Sequence, residues 1–263
     1  MFVVLTKYKE NIEWANVIKN KIIYSKIKNE PNFVEEPYGE SSSYLKYIID
    51  NYHQLNEWTL FAHAHEKHWH HYHSIFKSLS IDTNELYKNN ILFLNINHWE
   101  NDSLMINIYP NNRHNYLHPF EWTLEEYNYT LNKLFNLNIN IDYQVFPACS
   151  QFIVHKSRIL NLSLDLYKKL YDWHLHDELA IKKRDCKYQQ NVGPFFFECI
   201  WHFIFGENLI FNPPIINNKQ LLYYTDIPFK DYSIFYKLNK ILTNKKLKYI
   251  VFLFRINMKI LII

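Results

Sequence analysis

The 263-residue chain has only three glycines, three cysteines and three methionines. No G-x-G-x-x-G and no G-x-x-x-x-G-K-[ST] occurs, which sets aside the common dinucleotide and P-loop signatures. Cys149, Cys186 and Cys199 are odd in number, widely spaced and form no C-x-x-C. That pattern gives no disulfide framework and points to a reducing compartment. An excess of one charge is also missing. Lys and Arg total 29 against 26 Asp and Glu, a net +3 scattered along the chain, so no nucleic-acid footprint is expected. Aromatic residues reach 18%, yet they follow apolar periodicity and not basic patches.

Long hydrophobic runs are lacking too. The tail "YIVFLFRINMKILII" is interrupted by Arg255 and Lys259 and is too short and too charged for a transmembrane span. It reads as a packed strand or helix, with contact to a membrane surface as the alternative. The opening "MFVVLTKYKENIEW" has no charged n-region before a long apolar core, so it reads as a strand and not as a signal peptide. A cytoplasmic location is the expectation. A single domain of this length would bury roughly 75% of its unfolded surface and would need no crosslinks.

What is present is alternation of strand-like and helix-like text. "FVVLT" has the length and apolarity of a strand. A helix is expected from Glu10 to about Asn20, then a strand at "KIIYSKI". After a loop with two prolines, Ser42 or Ser43 is placed to cap the amphipathic helix "YLKYIIDNYHQL". "EWTLFAHAH" and "NILFLNINHW" read as strands, and Asn101 to Pro119 as irregular chain. "WTLEEYNYTLNKLF" is expected to be a helix opened by Thr123, and "CSQFIVHKSRI" to hold another strand. Ser163 is the cap for "LDLYKKLYDWHLHDEL". Lys182 to Gln190 reads as a polar linker, and the buried helix "FFFECIWHFIF" follows, ended by Gly206. This order predicts an α/β fold with a mixed, mostly parallel central sheet flanked by helices.

Three groups of residues stand out chemically. Glu198 lies in a very apolar helix, and a carboxylate is seldom fully buried without a partner. Glu198, Trp201 and His202 share one helix face. An apolar setting raises a carboxyl pKa and suits it to general acid–base work. Glu198 and His202 are therefore the catalytic candidates, with Trp201 a surface on which a sugar could stack. The alternative is a structural Glu198–His202 pair. The second group is "HAHEKHWHH", with six histidines from His63 to His73. His63 and His65 point to one face of a strand, and Trp69 and His70 follow. HExxH fails because position 69 is Trp69. His63, His65 and His68 are weak metal-ligand candidates, and a divalent metal is compatible with the site without being required by it. The other readings are a metal-free polar site and a solvated loop. The third group is Thr6, Tyr8 and Glu10, where an α/β domain opens its ligand crevice. Tyr8 could stack on a base and Glu10 could hold a ribose hydroxyl. The turn Gly39-Glu40 falls near that crevice as a weak signal. Gln151 is a candidate for an acceptor hydroxyl, and Arg158 for a phosphate.

Several of these strings, "GESSSYLKYIIDNYHQLNEWTLFAHAHEKHWHH", "CSQFIV" and "ECIWHFIFG", resemble the signatures of domain-of-unknown-function family 3431. The matching positions are Gly39, Tyr44, Leu45, Ile48, Ile49, Asn51, Tyr52, His63, Ala64, His65, Trp69, His70, Glu198, Trp201, His202, Ile204, Phe205 and Gly206. The likeness covers roughly residues 2 to 207. It implies one α/β domain over 1–207 and a C-terminal extension over 208–263, packed on it or poorly ordered. The family's usual double cysteine is here Ala148-Cys149-Ser150, which argues against paired-thiol chemistry. Asn56 and Glu57 stand where an acidic residue and Pro often follow the first helix.

A looser resemblance is to the acceptor half of GT-A-type glycosyltransferases. A strand like "QFIV", then a helix, then an acidic residue with Trp three positions on, is similar to their acceptor site and catalytic base. "VVLTKYKENIEW" is similar to their first strand and nucleotide-holding loop. The resemblance implies transfer of a sugar from a nucleotide-sugar donor to a hydroxyl of a glycan acceptor. Glu198 would be the base, His63 and His65 would lie near the donor phosphates, and Tyr8 and Glu10 at the nucleotide. The alternatives are a non-catalytic carbohydrate- or metal-binding protein and a histidine-cluster metal-dependent hydrolase.

Overall fold

The computed structural model describes residues 1–35, 39–67, 74–97, 105–108, 124–141, 144–147, 150–182, 191–208, 215–216 and 219–220. The chain divides into two compact units, one of residues 1–214 with 222–224 and one of 215–221 with 225–263. In the first unit the elements run β1 (Phe2–Lys7), β2 (Lys21–Ser25), α1 (Ser41–Asn51), β3 (Trp58–His63), α2 (Ile75–Leu79), α3 (Thr83–Lys88), β4 (Phe93–Asn95), β5 (Met105–Ile108), α4 (Leu124–Phe135), β6 (Gln144–Pro147), β7 (Phe152–His155), α5 (Lys156–Ile159), α6 (Leu164–His176), α7 (Glu178–Ile181) and α8 (Val192–Ile204). The described part of the second unit is a hairpin of β8 (Ile215–Ile216) and β9 (Lys219–Gln220).

Five strands form one mixed sheet in the order β2-β1-β3-β7-β4. β1 is parallel to both β2 and β3, while β7 runs antiparallel to β3 and β4. The expected α/β architecture is therefore present. Strands covered on both faces carry continuous apolar runs, and β1 does so with Val3, Val4 and Leu5 all inaccessible to solvent. Register places Val4 beside Phe61 and Phe61 beside Phe152. These join Tyr44, Leu45 and Ile48 of α1 and Phe196, Phe197, Ile200 and Trp201 of α8 in one core cluster. α8 is apolar nearly all round, as befits a helix inside a core. Trp201 lies flat on Phe205, with ring centroids 5.7 Å apart and planes 9° apart.

Several boundaries follow the predicted residues. Ser163 Oγ accepts from the Leu166 N–H at 3.2 Å and opens α6. Gly206, at φ 81°, closes α8. Its N–H bonds the Phe203 carbonyl and the Glu207 N–H bonds that of His202, the two bonds of a Schellman stop.

Others depart. The helix expected over Glu10 to Asn20 is a single 3-10 turn, Glu13–Val17. The Asn11 side chain accepts from the Glu13 N–H and ties up the backbone in a local turn, a competition that Asn side chains often win against a helix. α1 starts at Ser41 with Glu40 as its cap residue, so neither Ser42 nor Ser43 caps it. Ser42 Oγ instead receives Lys26 Nζ, a buried lysine just past β2. Within the stretch read as irregular, β5 pairs antiparallel with β6. Its four residues, Met-Ile-Asn-Ile, were too short a signal amid so many asparagines. Thr123 and most of the 182–190 linker lie outside the described residues.

Gly39 sets the approach of α1 to α8. It sits at φ 94°, and a Cβ there would lie 2.4 Å from Cβ of Pro194. Gly39→Ala would meet both the left-handed backbone penalty and that collision. The expected cost is on the order of 2 kcal/mol or more, lowering the melting temperature by about 4–8 °C. A melt indistinguishable from the parent protein would show that the contact is not tight.

Candidate functional site

The chain leaves β1 toward β2 on one side, and β3 returns on the other side of β1. Strand order thus reverses between β1 and β3, and ligands of open α/β sheets bind outside the carboxyl ends of strands at such a point. Thr6 and His63 are register partners at those ends. The Ala64 N–H continues the ladder to the Thr6 carbonyl at 3.1 Å. Counting in twos from Val4 and Phe61, Thr6 and His63 share the sheet face that α1 and α8 cover. The loops then carry Tyr8 and Glu10 from β1, and His65 from β3.

Above this edge stand the first turn of α1 and one face of α8. Glu40, nine-tenths buried, brings Oε2 to 3.6 Å from His63 Nε2. Glu10 Oε1 lies 3.4 Å from His65 Nε2, and its Oε2 accepts the Tyr8 N–H. Tyr44 follows Glu40 by one helical turn. Glu198 follows Pro194, the residue against Gly39, by one turn of α8. It is half-buried, although its neighbours Phe197 and Cys199 are fully enclosed.

The charges interact strongly. Burial works to raise the Glu40 carboxyl, but the His63 charge and hydrogen bond, with a hydrogen bond from Ser150, hold it below its ordinary 4.5. Burial works to lower His63, but Glu40, Glu198 and Glu10 carry it above its ordinary 6.5. His65, less well served, is pushed down by burial and by the nearby His63 against the pull of Glu10. Burial, then the charge of Glu40, then Tyr8 and Glu198, drive the Tyr44 phenol well up, so it stays protonated. Burial and the Glu198 charge likewise raise the Cys199 thiol, the opposite of what a nucleophilic cysteine needs.

The predicted site residues thus separate into two sets. Tyr8, Glu10, His63, His65 and Glu198 gather at one edge. Trp201 and His202 are 2% and 0% exposed, and the Trp201 ring packs on Phe197, Phe205, Tyr44 and Phe152. No open ring face is left for a sugar to stack on. Its Nε1 donates to Ser150 Oγ at 3.1 Å. Gln151 is also fully enclosed: Oε1 accepts the His63 N–H and Nε2 donates to Asn97 Oδ1. It braces the end of β3 from within the sheet. Arg158 binds the Gly206 carbonyl and Glu207, not a phosphate position. Trp69, His70 and His68 lie outside the described residues. Among the described residues no group of three or more His, Cys, Asp or Glu side chains is arranged to hold a metal ion. No helix among them is long and apolar enough to cross a membrane.

Glu40 and Tyr44 are the residues that sequence reasoning undervalued. The Gly39-Glu40 turn was the available clue, since a glycine before a helix start marks a close approach.

A model of the family described as Protein of unknown function (DUF3431) matches residues 2–217, and the chain belongs to that family. No curated protein and no solved structure matches it.

The Glu40–His63 pair gives stability a defined pH window. A raised His63 contributes fully below 6.5 and loses its effect as pH climbs through its higher folded value. A lowered Glu40 contributes fully above 4.5 and loses its effect as pH falls through its lower folded value. The melting-temperature gap between the parent protein and Glu40→Gln is therefore widest between 4.5 and 6.5, and narrows as pH climbs through the raised His63 value or falls through the lowered Glu40 value. In an NMR titration His63 takes up its proton at higher pH than His65. A gap independent of pH, or the reverse order of titration, would contradict the pairing.

Proposed function

We propose that the chain, as a member of this family, transfers a sugar from a nucleotide-sugar donor to a hydroxyl acceptor at the β1–β3 edge. The observation that carries the reading is Glu198. It is a half-buried carboxylate on a largely enclosed helix, and it stands close enough to the Glu40–His63 pair for its charge to act on both His63 and Tyr44. Carboxylates and an imidazole held in opposite charge states are what acid–base chemistry near neutral pH uses. The reaction class itself comes by analogy with GT-A-type glycosyltransferases and is weighted as analogy.

In this reading Glu198 takes the proton of the acceptor hydroxyl as its oxygen bonds to the sugar's anomeric carbon. The bond from that carbon to the diphosphate breaks, and the diphosphate leaves with the electron pair. His63, kept cationic by Glu40, offsets charge developing on the leaving phosphate, with His65 beside it. Tyr8 and Glu10 hold the nucleoside, the ring by stacking and the carboxylate by accepting from ribose hydroxyls. Trp201 and His202 act from behind by stiffening α8, and Gln151 by fixing the end of β3. No step needs a metal ion.

The test is a thermal-shift panel of nucleotide sugars and nucleoside diphosphates, followed by a transfer assay. One nucleoside diphosphate should stabilise both the parent protein and Glu198→Gln. Glu198→Gln should lose about 10²–10⁴ in turnover, the usual worth of a general base. Binding without turnover in either form would indicate a carbohydrate-binding protein. No shift with any nucleotide would remove the proposal.

A further inference from the structure

β3 loses its partner one step before His63. On β7, His155 gives its N–H to the Leu92 carbonyl, and the Gln151 carbonyl takes the Ile96 N–H. The odd-numbered residues of β7 therefore bond toward β4, and the even-numbered ones toward β3. The pairs that exchange both N–H and carbonyl bonds are then Thr59 with Val154 and Phe61 with Phe152. The next pair of that kind is His63 with Ser150. The ladder stops before it, since β7 begins only at Phe152 and Ser150, at φ 21°, has left strand geometry. A side chain receives the His63 N–H instead, Gln151 Oε1 at 3.2 Å.

Gln151 and Asn97 are 0% and 2% exposed, and only one orientation of their amides works. Asn97 Nδ2 donates to the Gln151 carbonyl at 3.2 Å and to Asn95 Oδ1 at 2.9 Å. Asn97 Oδ1 thus faces the Gln151 side chain and accepts from its Nε2 at 2.8 Å. That turns Gln151 Oε1 toward His63. The carbonyl at one end of this relay only accepts, and the N–H at the other only donates. Turning either amide over sets donor against donor or acceptor against acceptor.

We propose that Asn97 is a positioning residue of the β1–β3 site: acting through the Gln151 amide, it supplies the strand bond that β7 gives up and so holds His63 3.6 Å from Glu40. The early exit of β7 is itself put to use, because it leaves Ser150 Oγ to receive the Trp201 indole at 3.1 Å. The proposal rests on the transferase reading only for what a well-placed His63 does in turnover. The relay does not rest on it.

NMR on the parent protein is the first test. The His63 amide should exchange slowly with solvent, and the Gln151 side-chain NH2 should give two slowly exchanging proton signals. Rapid exchange of either would overturn the proposal. Asn97→Leu and Gln151→Met then cut the relay at its two links. In a folded variant the His63 N–H should lose about tenfold in protection. The His63 titration midpoint should fall by about one pH unit, because Glu40, Glu198 and Glu10 hold it up against burial only at short range. His65 should keep its midpoint. A lower melting temperature with His63 titrating as in the parent would reduce Asn97 to a packing role and overturn the proposal. Equal movement of both histidines, the mark of general loosening, would overturn it too. In the transfer assay both variants should lose kcat by roughly ten- to a hundredfold, with KM for the nucleotide sugar little changed. A shifted His63 midpoint together with absent sugar transfer in the parent protein would refute the transferase and leave the role of Asn97 standing.

Discussion

The contact of Gly39 with Pro194 governs the carboxyl edge of the sheet. α1 and α8 meet there at a separation only a residue without a side chain permits. Glu40 follows Gly39 directly with Tyr44 one turn beyond Glu40, and one turn from Pro194 along α8 comes Glu198. Helical periodicity then does the rest, because residues four apart stand on one face. Pairing between β1 and β3 brings Thr6 and His63 beneath them. The catalytic candidates thus come from four separate stretches of chain, and close packing alone brings them together.

Charge follows from that geometry. Glu40 and His63 are both largely withdrawn from water, and each would change its protonation state if left alone there. Together they stay charged, since attraction at short range outweighs lost hydration for both. A polar thread connects this pair to the core: Trp201 donates to Ser150, which hydrogen-bonds Glu40. A tryptophan that looked like a binding surface in the sequence is in fact an internal anchor. Its indole nitrogen helps aim a carboxylate that its ring never touches.

Elements with a strong local pattern were legible in the sequence. The unbroken apolar runs of β1 and β3, the Ser163 cap and the Gly206 stop depend only on neighbouring residues. The 3-10 turn after β1 was misread because the Asn11 side chain competes with the backbone, a detail that periodicity does not carry. For the site, Tyr8, Glu10, His63, His65 and Glu198 were legible by residue type and by strand ends. Glu40 and Tyr44 were not, because their importance arises from contacts between segments more than twenty residues apart or more than a hundred. Trp201 and Gln151 were overvalued for the matching reason. A sequence shows that a side chain has polar atoms and does not show which of them the core already occupies.

The position of β7 has a consequence for biogenesis. This strand lies between β3 and β4 in the sheet, yet its residues, Phe152–His155, follow β3 by almost ninety positions and β4 by nearly sixty. While the protein is being synthesised, β3 leaves the ribosome with one hydrogen-bonding edge open, and β4 has nothing to pair with. An open apolar strand edge is a template for another chain, and pairings this distant in sequence form slowly. The nascent polypeptide therefore passes through an interval in which its central strands are adhesive. Chaperone occupancy on ribosome-bound chains should be densest between the emergence of β3 and the emergence of β7.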